Sequence, residues 1–142
     1  MNSVADIREV FDQFFALIVR ANELSHQRDE GDPLAVVKLR VDLSVSMMKM
    51  QRDVTEALKN ISSGSDLASL TEEYWARIMV ERRKISDHQV SWPAPAIKAD
   101  RAGYERACQA LYAFHEDNHV WRRDVLLPRF SRTISTKNMD DL

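Results

Sequence analysis

Two histidines near the carboxyl end of the chain have the spacing of a metal-binding pair. His115 and His119 are four residues apart, which on an α-helix brings both imidazoles within reach of one ion. Glu116 directly follows the first of them, as in zinc proteases, but no third ligand can be assigned. A metal-binding helical domain is therefore one hypothesis. We favour the alternative that both histidines are hydrogen-bonded within a helical core.

A di-iron centre is a second metal hypothesis, because the spacing Glu-x-x-His occurs twice, at Glu23–His26 and at Glu116–His119. Di-iron sites in helical bundles use two such pairs and a further Glu from each remaining helix, all facing inward. Helical periodicity instead places Glu23 and Glu116 on polar faces. We therefore predict no di-iron site, and no cofactor of any kind.

A third constellation is Arg83 and His88, in the run Arg83-Lys-Ile-Ser-Asp-His88. This run and the helical segment that leads to it from Trp75 resemble HEPN domains, helical bundles of similar size with an arginine and a histidine four to six residues apart. The resemblance implies a ribonuclease or the partner of a nucleotidyltransferase. Arg83 would stabilise phosphate charge, and His88 would act as acid or base on the ribose 2′-hydroxyl. The chain departs from the family pattern at Lys84 and Val90, so this function is the alternative.

Other common catalytic arrangements are missing from the sequence. Gly31, Gly64 and Gly103 stand singly and form no phosphate-binding loop. The only cysteine, Cys108, falls on the predicted apolar face of its helix, where an inert buried thiol is expected. One cysteine permits neither an intrachain disulfide nor a cysteine-based zinc site, and we expect a cytoplasmic protein.

Length and composition predict one soluble helical domain. The chain has 142 residues, of which 44% are hydrophobic and 30% charged, a mixture typical of globular domains. Three glycines and four prolines are too few for the frequent turns of an all-β fold. The formal net charge of −2 favours neither nucleic acid nor anionic lipid as a partner. The longest apolar run, 14–19, is too short to span a bilayer, and we expect neither a membrane segment nor a secretory signal.

Apolar residues recur every three or four positions along most of the chain, which predicts helices. Asp32 followed by Pro33 is typical of a helix start, and the serines and glycine at 62–64 are typical of a helix end. The prolines at 93 and 95 predict a stiff non-helical connection over 89–96. Four helices are predicted, at about 4–27, 33–62, 67–88 and 98–127.

Four helices of this length with short connections favour an antiparallel up-down four-helix bundle. We predict one such all-α domain over 1–128, in which Pro128 ends the last helix. The polar residues 129–142 are expected to form a short, frayed and flexible C-terminal tail.

Residues 37–47 are ambiguous, because apolar and polar side chains alternate strictly there. Alternation is typical of a half-buried strand, but the same segment also continues the helical periodicity of its neighbours. No other segment predicts a strand that could supply backbone hydrogen bonds. We therefore expect a helix, and a strand paired across a homodimer is the alternative.

The second predicted helix is apolar over more than half of its circumference, which is more than a small bundle readily buries. We therefore predict a non-enzymatic interaction module that acts as a homo-oligomer, or as a small subunit or adaptor of a larger assembly. Its partner would be a protein or a second copy, and nucleic acid is expected only under the ribonuclease alternative. The interface candidates are Arg40, Met48, Trp92 and Phe130.

Overall fold

The computed structural model describes residues 4–26, 33–60 and 65–132, and nearly all of these residues are helical. The described residues contain no strand, so the all-α prediction is confirmed. None of the helices in these ranges is long and apolar enough to cross a membrane. The helices are α1 (Val4–Ser25), α2 (Pro33–Asn60), α3 (Ser65–Ser91), the short α4 (Ala94–Ala99) and α5 (Arg101–Trp121).

The alternating segment 37–47 lies within α2, so the helical interpretation is confirmed and the strand alternative is wrong. Its alternation arises from two rows of apolar residues, each with four-residue spacing, that interleave along the sequence. One row faces the core and the other faces solvent. The buried row is Leu39, Leu43 and Met47, and the exposed row is Val37, Val41 and Val45.

The connection after α3 is much shorter than the predicted segment 89–96. Helix α3 continues to Ser91, and only Trp92 and Pro93 separate it from α4. Pro93 is the N-cap of α4, and Pro95 lies in its first turn. A proline costs little at these positions, because the first residues of a helix have no backbone acceptor for their N–H groups. The two prolines therefore start a helix instead of preventing one.

The last helical segment also continues beyond its predicted end. One turn of π-helix, Arg122–Leu126, follows α5, and residues 127–132 are again helical. The N–H of Leu127 donates to the carbonyl oxygen of Arg122, which resets the hydrogen-bond register at the π turn. Pro128 thus lies in the first turn of a new helical segment, where its missing N–H is tolerated.

The prediction of a flexible tail from residue 129 is therefore wrong for residues 129–132. Phe130 is only 2% exposed and belongs to the hydrophobic core. Burial of this ring stabilises the packing of residues 127–132 against the helical core. The rest of the predicted tail, 133–142, lies outside the described residues.

Helix α1 packs against both α2 and α5, and α5 also packs against α3. The inward face of α1 follows the three- and four-residue spacing predicted from the sequence. One continuous core results, to which each long helix contributes. Its most deeply buried apolar members include Phe11 and Phe14 of α1, Met50 and Val54 of α2, Tyr74 and Ile78 of α3, and Leu127 after the π turn.

Replacing Phe130 by alanine tests whether the segment after Pro128 belongs to the core. Removal of a buried ring leaves a cavity and costs about 3–5 kcal/mol of unfolding free energy. We expect F130A to show this loss in chemical denaturation, whereas V125A, at a half-exposed position in the π turn, should lose about 1 kcal/mol or less. Equal, small losses in both variants would contradict a core role for Phe130.

Candidate functional site

A carboxylate is completely buried in the middle of α3. Glu81 is 0% exposed, and both of its oxygens have partners on the last helical segment. Nδ1 of His115 lies 2.7 Å from Oε2 of Glu81, and the Arg122 guanidinium donates to Oε1 at 2.9 Å. The amide of Asn118 approaches Oε2 at 3.5 Å. One acidic, one basic and two hydrogen-bonding side chains thus form a single cluster, which we call the Glu81 cluster.

Helical spacing explains how these groups meet. His115, Asn118 and Arg122 follow one another at intervals of three and four residues, so they lie on one face of α5 and the start of the π turn. Glu81 follows Ile78 by three residues on the buried face of α3. A charged residue within the apolar face of α3 is a sequence signal for this cluster, and the predictions from sequence did not include it.

Aromatic rings shield the Glu81 cluster from water. The Arg122 guanidinium lies 5.7 Å from the ring centroids of both Phe11 and Phe14, a distance at which ring and cation attract. Burial alone would raise the pKa of Glu81, but the hydrogen bond from His115 and the charge of Arg122 outweigh it and hold the pKa below its usual value. Glu81 is therefore ionised, and Arg122 balances its charge.

The Glu81 cluster reaches the surface through Arg77. The Arg77 side chain donates to Oδ1 of Asn118 at 3.0 Å and lies 4.6 Å from the ring centroid of Trp121. It also pairs with Glu73, one turn earlier on α3, at 3.2 Å. This chain of contacts joins α3 to α5 from the interior to the exposed side.

A partly open cleft of about 70 Å³ adjoins the Glu81 cluster. Helices α1, α2, α3 and α5 all contribute to its walls, which are mostly aliphatic and aromatic. Polar residues also line it, namely Asn22, Arg40, His88, Cys108 and His115. A concave apolar site with a few convergent polar groups is the usual form of a small-molecule site.

His88 and Cys108 are neighbours in this cleft, at 3.7 Å between Nε2 and Sγ. Burial and the charge of Arg40 lower the pKa of His88 to about 4, so its imidazole is neutral at physiological pH. Burial raises the pKa of the Cys108 thiol. A protonated thiol is a poor nucleophile, and the interpretation of Cys108 as a buried thiol is confirmed.

The structure does not bring Arg83 and His88 together. Arg83 is exposed and lies 3.9 Å from Asp87, whereas His88 faces inward and packs on the ring of Tyr104. Because the two positions are five residues apart, they point about 140° apart around the axis of α3. In this arrangement, the two residues that carry the resemblance to HEPN domains therefore do not form one site.

The two histidines of the metal hypothesis, His115 and His119, are also separated. His115 binds Glu81, whereas the ring of His119 stacks on Phe15 at 4.2 Å and lies 3.9 Å from Asp12. Within 4–26, 33–60 and 65–132, no three side chains of His, Cys, Asp or Glu are placed to hold an ion. Of the residues in the Glu-x-x-His pairs, three are exposed, namely Glu23, His26 and Glu116.

The four interface candidates have different environments. Arg40 is turned toward the core region and donates to the carbonyl oxygen of Trp92 at 2.6 Å, and the Trp92 ring packs on Tyr104. Phe130 is buried by the packing of residues 127–132, which corrects the prediction that it lies at an interface. Met48 is 66% exposed and remains available on the surface.

Met48 belongs to a longer apolar face on α2. Val37, Val41 and Val45 are 56%, 56% and 61% exposed, and together with Met48 they form a row along one side of the helix. We call these four residues the outer face of α2. Single exposed apolar residues are ordinary on protein surfaces, but a continuous row on one helix is typical of an interaction surface.

Comparison with known proteins does not assign the chain to a family. No protein family, curated protein or solved structure matches it significantly.

Replacing Glu81 by glutamine tests the importance of the buried charge. E81Q keeps the size of the side chain but leaves Arg122 buried without a counter-charge, which should cost about 3–5 kcal/mol of unfolding free energy. The exposed Glu72 on the same helix provides the matched control, E72Q, which should change stability by about 0.5 kcal/mol or less. Both values are obtained by chemical denaturation, and equal stability of E81Q and wild type would contradict the ion pair.

The depressed pKa of His88 predicts a loss of stability in acid. Between about pH 6.5 and about pH 4, the unfolded chain binds a proton at His88 that the folded protein does not. The contribution of His88 is therefore fully present above pH 6.5 and decreases as the pH falls through this window. Denaturation across this range should show a shallower pH dependence for H88Q than for wild type, whereas H26Q, at an exposed histidine, should match wild type. Identical slopes in H88Q and wild type would contradict the assignment.

Proposed function

We propose that this chain is a non-enzymatic, self-associating helical module of the cytoplasm, and that two copies pair through the outer face of α2. The observation that carries the proposal is that α2 is apolar on two opposite sides. Leu39 and Leu43 face the core, whereas Val41 and Val45 face solvent. Covering the outer row against a second molecule would remove its apolar surface from water, at about 25 cal/mol for each Å².

The charges beside the outer face favour a second copy as the partner. Among the charged residues of α2, Lys38, Asp42, Arg52 and Glu56 alternate as positive, negative, positive and negative, with Arg40, Lys49 and Asp53 at other positions between them. In an antiparallel pair centred at residue 47, Lys38 of one copy lies opposite Glu56 of the other, and Asp42 opposite Arg52. Each attraction occurs twice because of the twofold symmetry. Such rows of charge set orientation and register in helix pairs.

The surface available to the partner extends from α2 to α3. Met48 and Arg52 border an open groove whose other wall includes Trp75 of α3. Met79, one turn beyond Trp75, is 60% exposed. Aromatic and methionine side chains are enriched at protein interfaces. These residues would enlarge the contact beyond what a single helix pair provides.

The proposal includes an antiparallel up-down arrangement of the four long helices. Contacts between α1 and α5 run in opposite directions along the two helices, since Phe15 meets His119 and Ser25 meets Arg101. The contacts of α3 with α5 also run in opposite directions, since Arg77 meets Asn118 and His88 meets Cys108. Such a bundle leaves the side of α2 opposite its core face open to a partner.

Single substitutions on the outer face should produce monomers. We expect wild type to sediment with the mass of two chains, and V45D to sediment as a monomer with unchanged helical circular dichroism, because a buried carboxylate would lack a partner. V80D, on an exposed valine of α3, is the matched control and should remain dimeric. A monomeric wild type, or a dimeric V45D, would contradict the proposal.

A charge exchange tests the antiparallel register in the same assay. K38E places two carboxylates opposite each other and should weaken the dimer, and the double variant K38E/E56K restores opposite charges and should recover it. Failure of the double variant to recover association would exclude this register.

A further inference from the structure

Two residues that line the cleft beside the Glu81 cluster each carry a buried polar atom without a hydrogen-bond partner in the described part of the chain. These atoms are Nε2 of His115 and Oδ1 of Asn22. His115 is 1% exposed, so bulk water does not satisfy its second nitrogen. Leaving a buried polar atom unpaired costs free energy. Both residues line the cleft, so a molecule bound there is a candidate partner for these atoms.

The Glu81 cluster determines which hydrogen bond His115 offers to the cleft. Glu81 is an ionised acceptor, so Nδ1 of His115 carries the proton that lies between them. Arg122 already balances the charge of Glu81, so the carboxylate needs no second positive charge from the imidazole. In the neutral ring with its proton on Nδ1, Nε2 presents a lone pair. Like Oδ1 of Asn22, it accepts a hydrogen bond and donates none.

The remaining walls select for an apolar molecule. Ile18, Leu43 and Leu111 provide aliphatic surface, and the rings of Tyr104 and Tyr112 provide aromatic surface. Aromatic walls favour flat rings, which pack offset or edge to face. The cleft has a volume of about 70 Å³ and is open on one side, a size suited to a small ring.

We propose that this cleft is a binding site for a small, neutral aromatic compound with one O–H or N–H donor, and that His115 Nε2 accepts the hydrogen bond from that donor. Phenol is the simplest compound of this class. The proposal is independent of self-association, because the cleft faces the interior side of α2 and the proposed dimer uses the outer face.

Phenol and toluene form a matched pair for testing the site, since a hydroxyl in one replaces a methyl in the other. Titration of the ¹³C-labelled protein should show saturable phenol binding, with methyl shifts confined to cleft residues such as Ile18 and Leu111. Toluene is more apolar, but it leaves the acceptor on His115 unpaired and should bind about tenfold more weakly. No saturable binding of phenol, or toluene binding as tightly, would overturn the proposal.

Substitution at Ala21 locates the site without touching the Glu81 cluster. Ala21 lines the cleft from α1, and A21L fills part of its volume. We expect A21L to remain folded by circular dichroism and to lose phenol binding, whereas A16L, at an exposed position of the same helix, should keep it. Phenol binding that persists in A21L with wild-type affinity would place the molecule elsewhere and contradict the inference. Should A21L unfold, filling from α5 with L111F gives the same test.

Discussion

The packing of α3 on the last helical segment depends on one buried carboxylate. Glu81 is fully enclosed, and an ionised carboxylate in an apolar interior is tolerated only when charged and hydrogen-bonding partners surround it. His115 and Arg122 meet this requirement from α5 and the π turn. A sliding of either helix by one turn would separate the carboxylate from both partners. The Glu81 cluster therefore specifies the register of two helices whose apolar faces alone would permit several.

The Glu81 cluster also bears on the cleft and on the outer face of α2. Because Glu81 occupies Nδ1 of His115, only the opposite nitrogen of this cleft-lining residue is left for another partner. On the other side of the core, α2 packs through Leu43 and Met50 and leaves Val45 exposed. The chain thus separates a polar, register-determining contact on α3 and α5 from an apolar, outward face on α2. The proposed binding in the cleft and the proposed self-association would then use opposite sides of α2.

Much of this arrangement is predictable from local sequence. Three- and four-residue periodicity gives the helical segments and the inward residues of α1, and the two interleaved rows of α2 explain an alternation that resembles a strand. The helix end predicted at Pro128 is wrong, because a shift of hydrogen-bond register at the π turn cannot be derived from propensities. The Glu81 cluster was missed for a related reason. Its members are far apart in sequence, and periodicity assigns a face to Glu81 but not a partner.

The state of the His115 imidazole tests the central claim most directly, because it reports on Glu81, on Arg122 and on the cleft at once. Long-range ¹H–¹⁵N correlation at neutral pH distinguishes the protonated from the unprotonated ring nitrogen. We expect a neutral ring with the proton on Nδ1 and an unprotonated Nε2. A proton on Nε2, in either the other neutral tautomer or the imidazolium, would contradict the arrangement of charge that we assign to the Glu81 cluster.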